Sequence, residues 1–193
     1  EELAGLPESA LEAAAQAARQ KDLQGWLFTL DIPSYLPVMM YAHNRALREE
    51  IYVAYSTRAS DQGPNAGKWD NSAIMEETLA LRQELAQLLG FDTYAQRSLA
   101  TKMAESTEQV IVFLDDLAKR SKPQAQADLA ELREFAKDAY GVDHLQAWDL
   151  AYYSEKLKED RYAISDEQLR PYFPEHKVVS GLFEVVKRLY GLR

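Results

Sequence analysis

Along most of the chain apolar residues return every three or four positions, the spacing that lines one face of a helix. The first such run covers residues 7–19, with Pro7 near the first turn and Ser9 and Glu12 at the spacing of a capping box. Residues 25–33 break the pattern. Their aromatic and β-branched content predicts a short extended segment, and the stretch from Trp26 to Leu30 is the one good strand candidate. Helical spacing resumes from Pro33 and Ser34 through Met40, and again from about Asn44 to Thr57.

Residues 60–71 carry Asp61, Gly63, Pro64, Asn65, Gly67 and Asn71 without periodic apolar positions, which predicts a mobile loop. Ser72 is then expected to cap a long helix to Leu89, stopped by Gly90. Asp92 is expected to start a short helix, and Ser106 with Gln109 the next one. That helix shows a stripe of Val110, Phe113, Leu114 and Leu117. Pro123 either kinks it or restarts it, and Leu129, Leu132, Ala136 and Tyr140 continue a buried stripe to Gly141. After a link over residues 142–147, Asp149 can cap a helix through Lys158. Ser165 and Gln168 open a short turn, and a last helix runs from Pro174 to Tyr190, ended by Gly191.

The expected fold class is therefore mainly α: a multi-helix segment with at most a short strand near Trp26. No repeat or linker divides the chain, so residues 1–193 read as a single helical segment. The last helix has apolar residues at Val178, Val179, Leu182, Phe183, Val186, Leu189 and Tyr190, a stripe wide enough to need partners on two sides. The chain stops two residues after Gly191 and opens without an initiator Met. Both features predict a segment cut from a larger domain.

Composition narrows the function classes. Glycine is scarce, at 8 of 193 residues, which agrees with helix. Lys and Arg total 22 against 31 Asp and Glu, giving a formal net charge of -9, the wrong sign for a nucleic-acid surface. The absence of cysteine excludes disulfides, thiolate metal sites and cysteine nucleophiles within the chain. No apolar run approaches the roughly 20 residues of a membrane span, and the acidic start is unlike a signal peptide.

Candidate chemistry is sparse. The histidines are His43, His144 and His176, and a His-Glu-x-x-His motif fits none of them, since Asn44, Leu145 and Lys177 follow them. The positions three before them hold Met40, Gly141 and Phe173, so a Glu-x-x-His di-metal motif fails as well. The run from Gly63 to Trp69 is faintly like a phosphate loop. It is one residue short, ends in Trp where Ser or Thr must meet magnesium, and follows no strand. The adjacent carboxylates Glu49 and Glu50, Glu76 and Glu77, and Asp115 and Asp116 point about 100° apart on a helix and read as solvated faces. Tyr152 and Tyr153, just after Trp148 and Asp149, leave a helix start in different directions. One can face a cleft and bind a peptide carbonyl, or both can be packing residues whose hydroxyls find local partners.

Taken in order, several strings carry a resemblance. They are Phe28-Thr29-Leu30-Asp31-Ile32-Pro33-Ser34-Tyr35, Asn44-Arg45-Ala46-Leu47-Arg48-Glu49 and Ala54-Tyr55-Ser56-Thr57-Arg58-Ala59. Asp70-Asn71, Leu81-Arg82, Leu88-Leu89-Gly90-Phe91 and Lys102-Met103-Ala104 follow. Trp148-Asp149 with Tyr152-Tyr153, and Leu169-Arg170-Pro171-Tyr172-Phe173-Pro174, complete the set. Together they resemble the thimet oligopeptidase and oligopeptidase A family of zinc metallopeptidases over essentially the whole chain, most of all its bacterial oligopeptidase A branch. The dipeptidyl carboxypeptidases are close kin that the strings do not separate.

The resemblance implies a mostly helical cytoplasmic enzyme whose deep channel admits short peptides. It implies one zinc on a His-Glu-x-x-His helix with a downstream Glu, the zinc-bound water as nucleophile and the motif Glu as general base. The chain contains none of those residues. It corresponds to the part that precedes the zinc helix, so no catalytic or metal-binding residue is carried over. The expected role is channel wall and scaffold, with short peptides and the remainder of the catalytic domain as partners. By itself the chain is expected to be inactive. A free-standing helical binding module is the alternative, and an independent carboxylate hydrolase a third reading.

Overall fold

The computed structural model describes residues 1–192 and consists of α-helices, with no strand among the described residues. α1 (Glu8–Gln20) is alanine-rich and buries Ala14 and Ala18, small residues that let a neighbour approach closely. Its N-cap is Pro7, without a side-chain cap bond, so the expected box of Ser9 and Glu12 does not cap it. Proline suits this place because its fixed φ matches the entry and it needs no partner for an N–H.

The expected strand region from Trp26 to Leu30 forms no strand. Among the described residues no second strand lies beside it; instead the Leu27 N–H donates to the Ala14 carbonyl at 3.0 Å, and the Thr29 N–H donates to Ser34 Oγ at 2.9 Å. β-branched and aromatic content favours a pleated surface only when one is available.

α2 (Ile32–Tyr41) takes Pro33 in its first turn and tolerates Pro37 further in. It lies at the centre of the fold, against α1, α3 and α7, and buries Val38 and Met39. Leu6, Val38 and Ala42 form one small core, flanked by Leu11, Phe28, Leu47 and Ile51. Gly5 closes it over the end of α2. Its φ of +90° suits glycine, and a Cβ there would collide with the Tyr41 carbonyl oxygen and the His43 ring. α3 (Arg45–Ser56) starts as expected at Asn44, whose side chain accepts from the N–H groups of Ala46 and Leu47.

The expected loop over residues 60–71 is a series of bends and turns, closed where the Asn71 N–H donates to the Ala59 carbonyl at 3.0 Å. α4 (Ser72–Leu88) begins at Ser72 rather than after it. Asp70 accepts both the Ser72 N–H, at 2.9 Å, and its hydroxyl, at 2.7 Å, and so does the work expected of Ser72. α5 (Tyr94–Leu99) is capped by Thr93 and Gln96 in a full capping box, one residue later than the expected Asp92.

α6 (Thr107–Tyr140) runs through Pro123 as one 34-residue helix, from the Ser106 cap to Gly141 at φ +68°. Only Leu132 and Ala136 of its apolar stripe are buried. Phe113, Leu114 and Leu117 are exposed, because no other element among the described residues covers the first half, whereas Tyr140, 46% exposed at the end of the second half, packs edge to face on Tyr153 at 5.3 Å. α7 (Leu150–Tyr162) packs on the second half of α6. Leu132, Ala136, Tyr152 and Tyr153 form a second core with Val142, Leu145 and Leu157 against it. α8 (Asp166–Leu169), a 3-10 turn over Arg170–Tyr172 and α9 (Glu175–Tyr190) complete the chain. The Ser165 and Gln168 box forms as expected, with Ser165 Oγ accepting from the Gln168 N–H. The apolar face of α9 stays exposed, with Phe183 at 68% and Leu189 at 70%.

Candidate functional site

The most structured polar feature joins α2, α3 and the start of α7. Arg45 and Arg48 lie one turn apart on α3, so both guanidinium groups reach the same side. A 3-10 turn over Ala147–Asp149 delivers Asp149 between them. Asp149 is fully buried. Its Oδ2 accepts from Arg45 Nη2 at 2.6 Å and from the Gln146 N–H at 2.9 Å, and Oδ1 from Arg45 Nε at 3.0 Å and Arg48 Nη2 at 2.9 Å.

Arg48 is equally buried, with its side chain 1% exposed. Its other donors meet backbone carbonyls: Nη1 donates to Ala42 at 2.7 Å, and Nε to Trp148 at 3.3 Å. The guanidinium carbon also stands 4.2 Å from the Tyr152 ring centre, over a face that attracts cations. Two cations thus share one carboxylate, and the surplus charge is spread over carbonyl dipoles and an aromatic face. Burying unpaired charge is costly, so every part of this set depends on the others.

Burial pushes the Asp149 carboxyl up. The hydrogen bonds from Arg45, the Gln146 N–H and Arg48 outweigh that and hold it below the ordinary value of 3.8. Asp149 is therefore ionised at neutral pH, and its oxygens are occupied by donors. It has neither the proton of a general acid nor a free lone pair directed at a substrate. The arrangement holds elements together. The sequence suggested Asp149 as a helix cap, but its side chain makes no cap bond to α7; the arginine pair takes it instead.

Tyr152 and Tyr153 do not divide between core and cleft. Both are buried, and they pack edge to face on each other at 5.1 Å. Burial raises both phenol pKa values above the ordinary 10.0, so neither ionises near neutral pH. Glu155, one turn on, is also buried and takes the Lys158 ammonium at 3.2 Å and the Tyr41 hydroxyl at 3.5 Å. Arg45 and Arg48 stood in one of the strings that carry the resemblance, but the sequence assigned a role neither to them nor to Glu155. The nearest signal was the arginine pair at three-residue spacing on one helix face.

The remaining candidates stay apart. His43 lies between α2 and α3 and His144 between α6 and α7, while His176 is in the first turn of α9. All three are exposed. Among the described residues no three His, Cys, Asp or Glu side chains gather to hold a metal ion. Glu49, Glu50, Glu76, Glu77, Asp115 and Asp116 are exposed, and Asp116 pairs with Arg120 at 2.7 Å. In the Gly63 to Trp69 run, Lys68 is occupied by the Trp69 ring at 4.2 Å. No helix among the described residues is long and apolar enough to cross a membrane.

A family model described as Peptidase family M3 matches residues 38–193, which includes α3, the arginine–aspartate cluster and α7. Oligopeptidase A of Escherichia coli (strain K12) is 71% identical over 191 residues, covering 99% of this chain and 28% of the relative. A probable cytosolic oligopeptidase A of Arabidopsis thaliana is 47% identical over 200 residues, covering 99% of this chain and 28% of that protein. A dipeptidyl carboxypeptidase of Escherichia coli (strain K12) is 31% identical over 194 residues, again covering 28% of the relative. The chain thus spans about 28% of the length of these curated relatives. With most of the helical scaffold inside the matched region, the chain belongs to peptidase family M3.

Proposed function

We propose that the chain is a segment of a zinc-dependent oligopeptidase that hydrolyses short peptides in a deep channel, and that this segment supplies wall and scaffold. The observation that carries this reading is the 71% identity to an oligopeptidase A along nearly the whole chain. The site chemistry agrees with it. The buried carboxylates Asp149 and Glu155 are both engaged by cations, as a framework requires.

The described residues do not fit a zinc site, because no three suitable ligands gather among them. In this reading the metal is held by residues outside the chain, where it supplies a Lewis acid and an activated water. The segment contributes rigidity: the cluster fixes α3 against the start of α7, and α2 packs between. The remainder of the catalytic domain is the expected cover for the exposed apolar faces of α4, α6 and α9. A cytoplasmic location and peptide substrates are part of the same proposal.

The test uses the full-length protein. His43→Ala, His144→Ala and His176→Ala are combined, and bound zinc is measured together with cleavage of a quenched fluorescent peptide. One zinc per chain and chelator-sensitive turnover, both kept in the triple variant, support the proposal. Loss of zinc in that variant puts the metal site in this segment. Absence of any turnover from the native protein favours a non-catalytic helical module.

A further inference from the structure

We draw no further inference here: the strongest candidate, the half-buried aromatic patch of Tyr35, Tyr52, Tyr55 and Trp148 across α2, α3 and the 3-10 turn before α7, with Trp148 Nε1 buried and without a hydrogen-bond partner among the described residues, carries nothing, because the chain spans 28% of its relative's length and nothing in the structure shows what covers the patch.

Discussion

Arg48 and Asp149 stand 101 positions apart in the chain and meet at 2.9 Å with both side chains out of solvent. The pair has a second arginine, Arg45, on its exposed flank and the Tyr152 ring over its buried one. This makes it a joint between two helices rather than a surface ion pair.

Asp149→Asn keeps the shape of the side chain but removes its charge, leaving Arg48 buried without an anion. Stability should fall by about 3–5 kcal/mol, the usual cost of breaking a buried pair on one side. Urea unfolding of the full-length protein measures it. Replacing both partners, as in Arg48→Met with Asp149→Leu, should cost less than the single change. A single variant within about 1 kcal/mol of the native protein would contradict the account.

The pH dependence follows from the direction of the Asp149 shift. Its folded pKa lies below the ordinary 3.8, so folding favours the ionised form. That contribution is fully present above the unfolded value, about 3.9, and is lost as pH falls through the lower folded value. The stability gap between native protein and Asp149→Asn should therefore hold from pH 7 to about pH 4 and shrink below it. A gap that stays constant down to pH 3 would rule this out.

Limited trypsin digestion should cut first after Lys68 or Arg58. Both side chains are exposed, and the turns around them lack the hydrogen-bond ladder that protects a helix. Mass spectrometry of early fragments checks this. First cleavage inside α3 or α7 would count against it.

The isolated 193-residue chain should bind a hydrophobic dye and self-associate. Phe183, Leu182, Leu189 and Tyr190 of α9 are exposed together, as are Phe113 and Leu117 of α6. Sedimentation as a compact monomer without dye binding is the opposing outcome.

The sequence was most legible where structure is local. Asn44 and Ser106 cap as their spacing suggests, and Gly141 ends its helix in the left-handed conformation that glycine favours. Short-range competition misled the reading at neighbouring polar residues: Thr93 rather than Asp92, Asp70 rather than Ser72. The short strand allowed for at Trp26 does not form, within the expectation of at most one, because a strand needs a partner that periodicity within one segment cannot reveal. The cluster was least visible. A charge at Arg48 looks like any solvated helix residue until Asp149 arrives from 101 positions away. The exposed stripes of α6 and α9 were read correctly as apolar faces, but which of them this chain covers was not encoded in their spacing.

That same separation orders events during synthesis. Arg45 and Arg48 leave the ribosome well before Asp149, and at about 5–20 residues per second the wait is roughly 5–20 s. Until then α3 has no anion to bury its guanidinium groups against, so they stay hydrated and the α2–α3 face stays unsealed. Non-local closure of this kind is slow compared with forming the helices themselves. The nascent chain therefore passes through a stage in which its helices exist but its joint does not, and that stage is when chaperone capture would compete with folding.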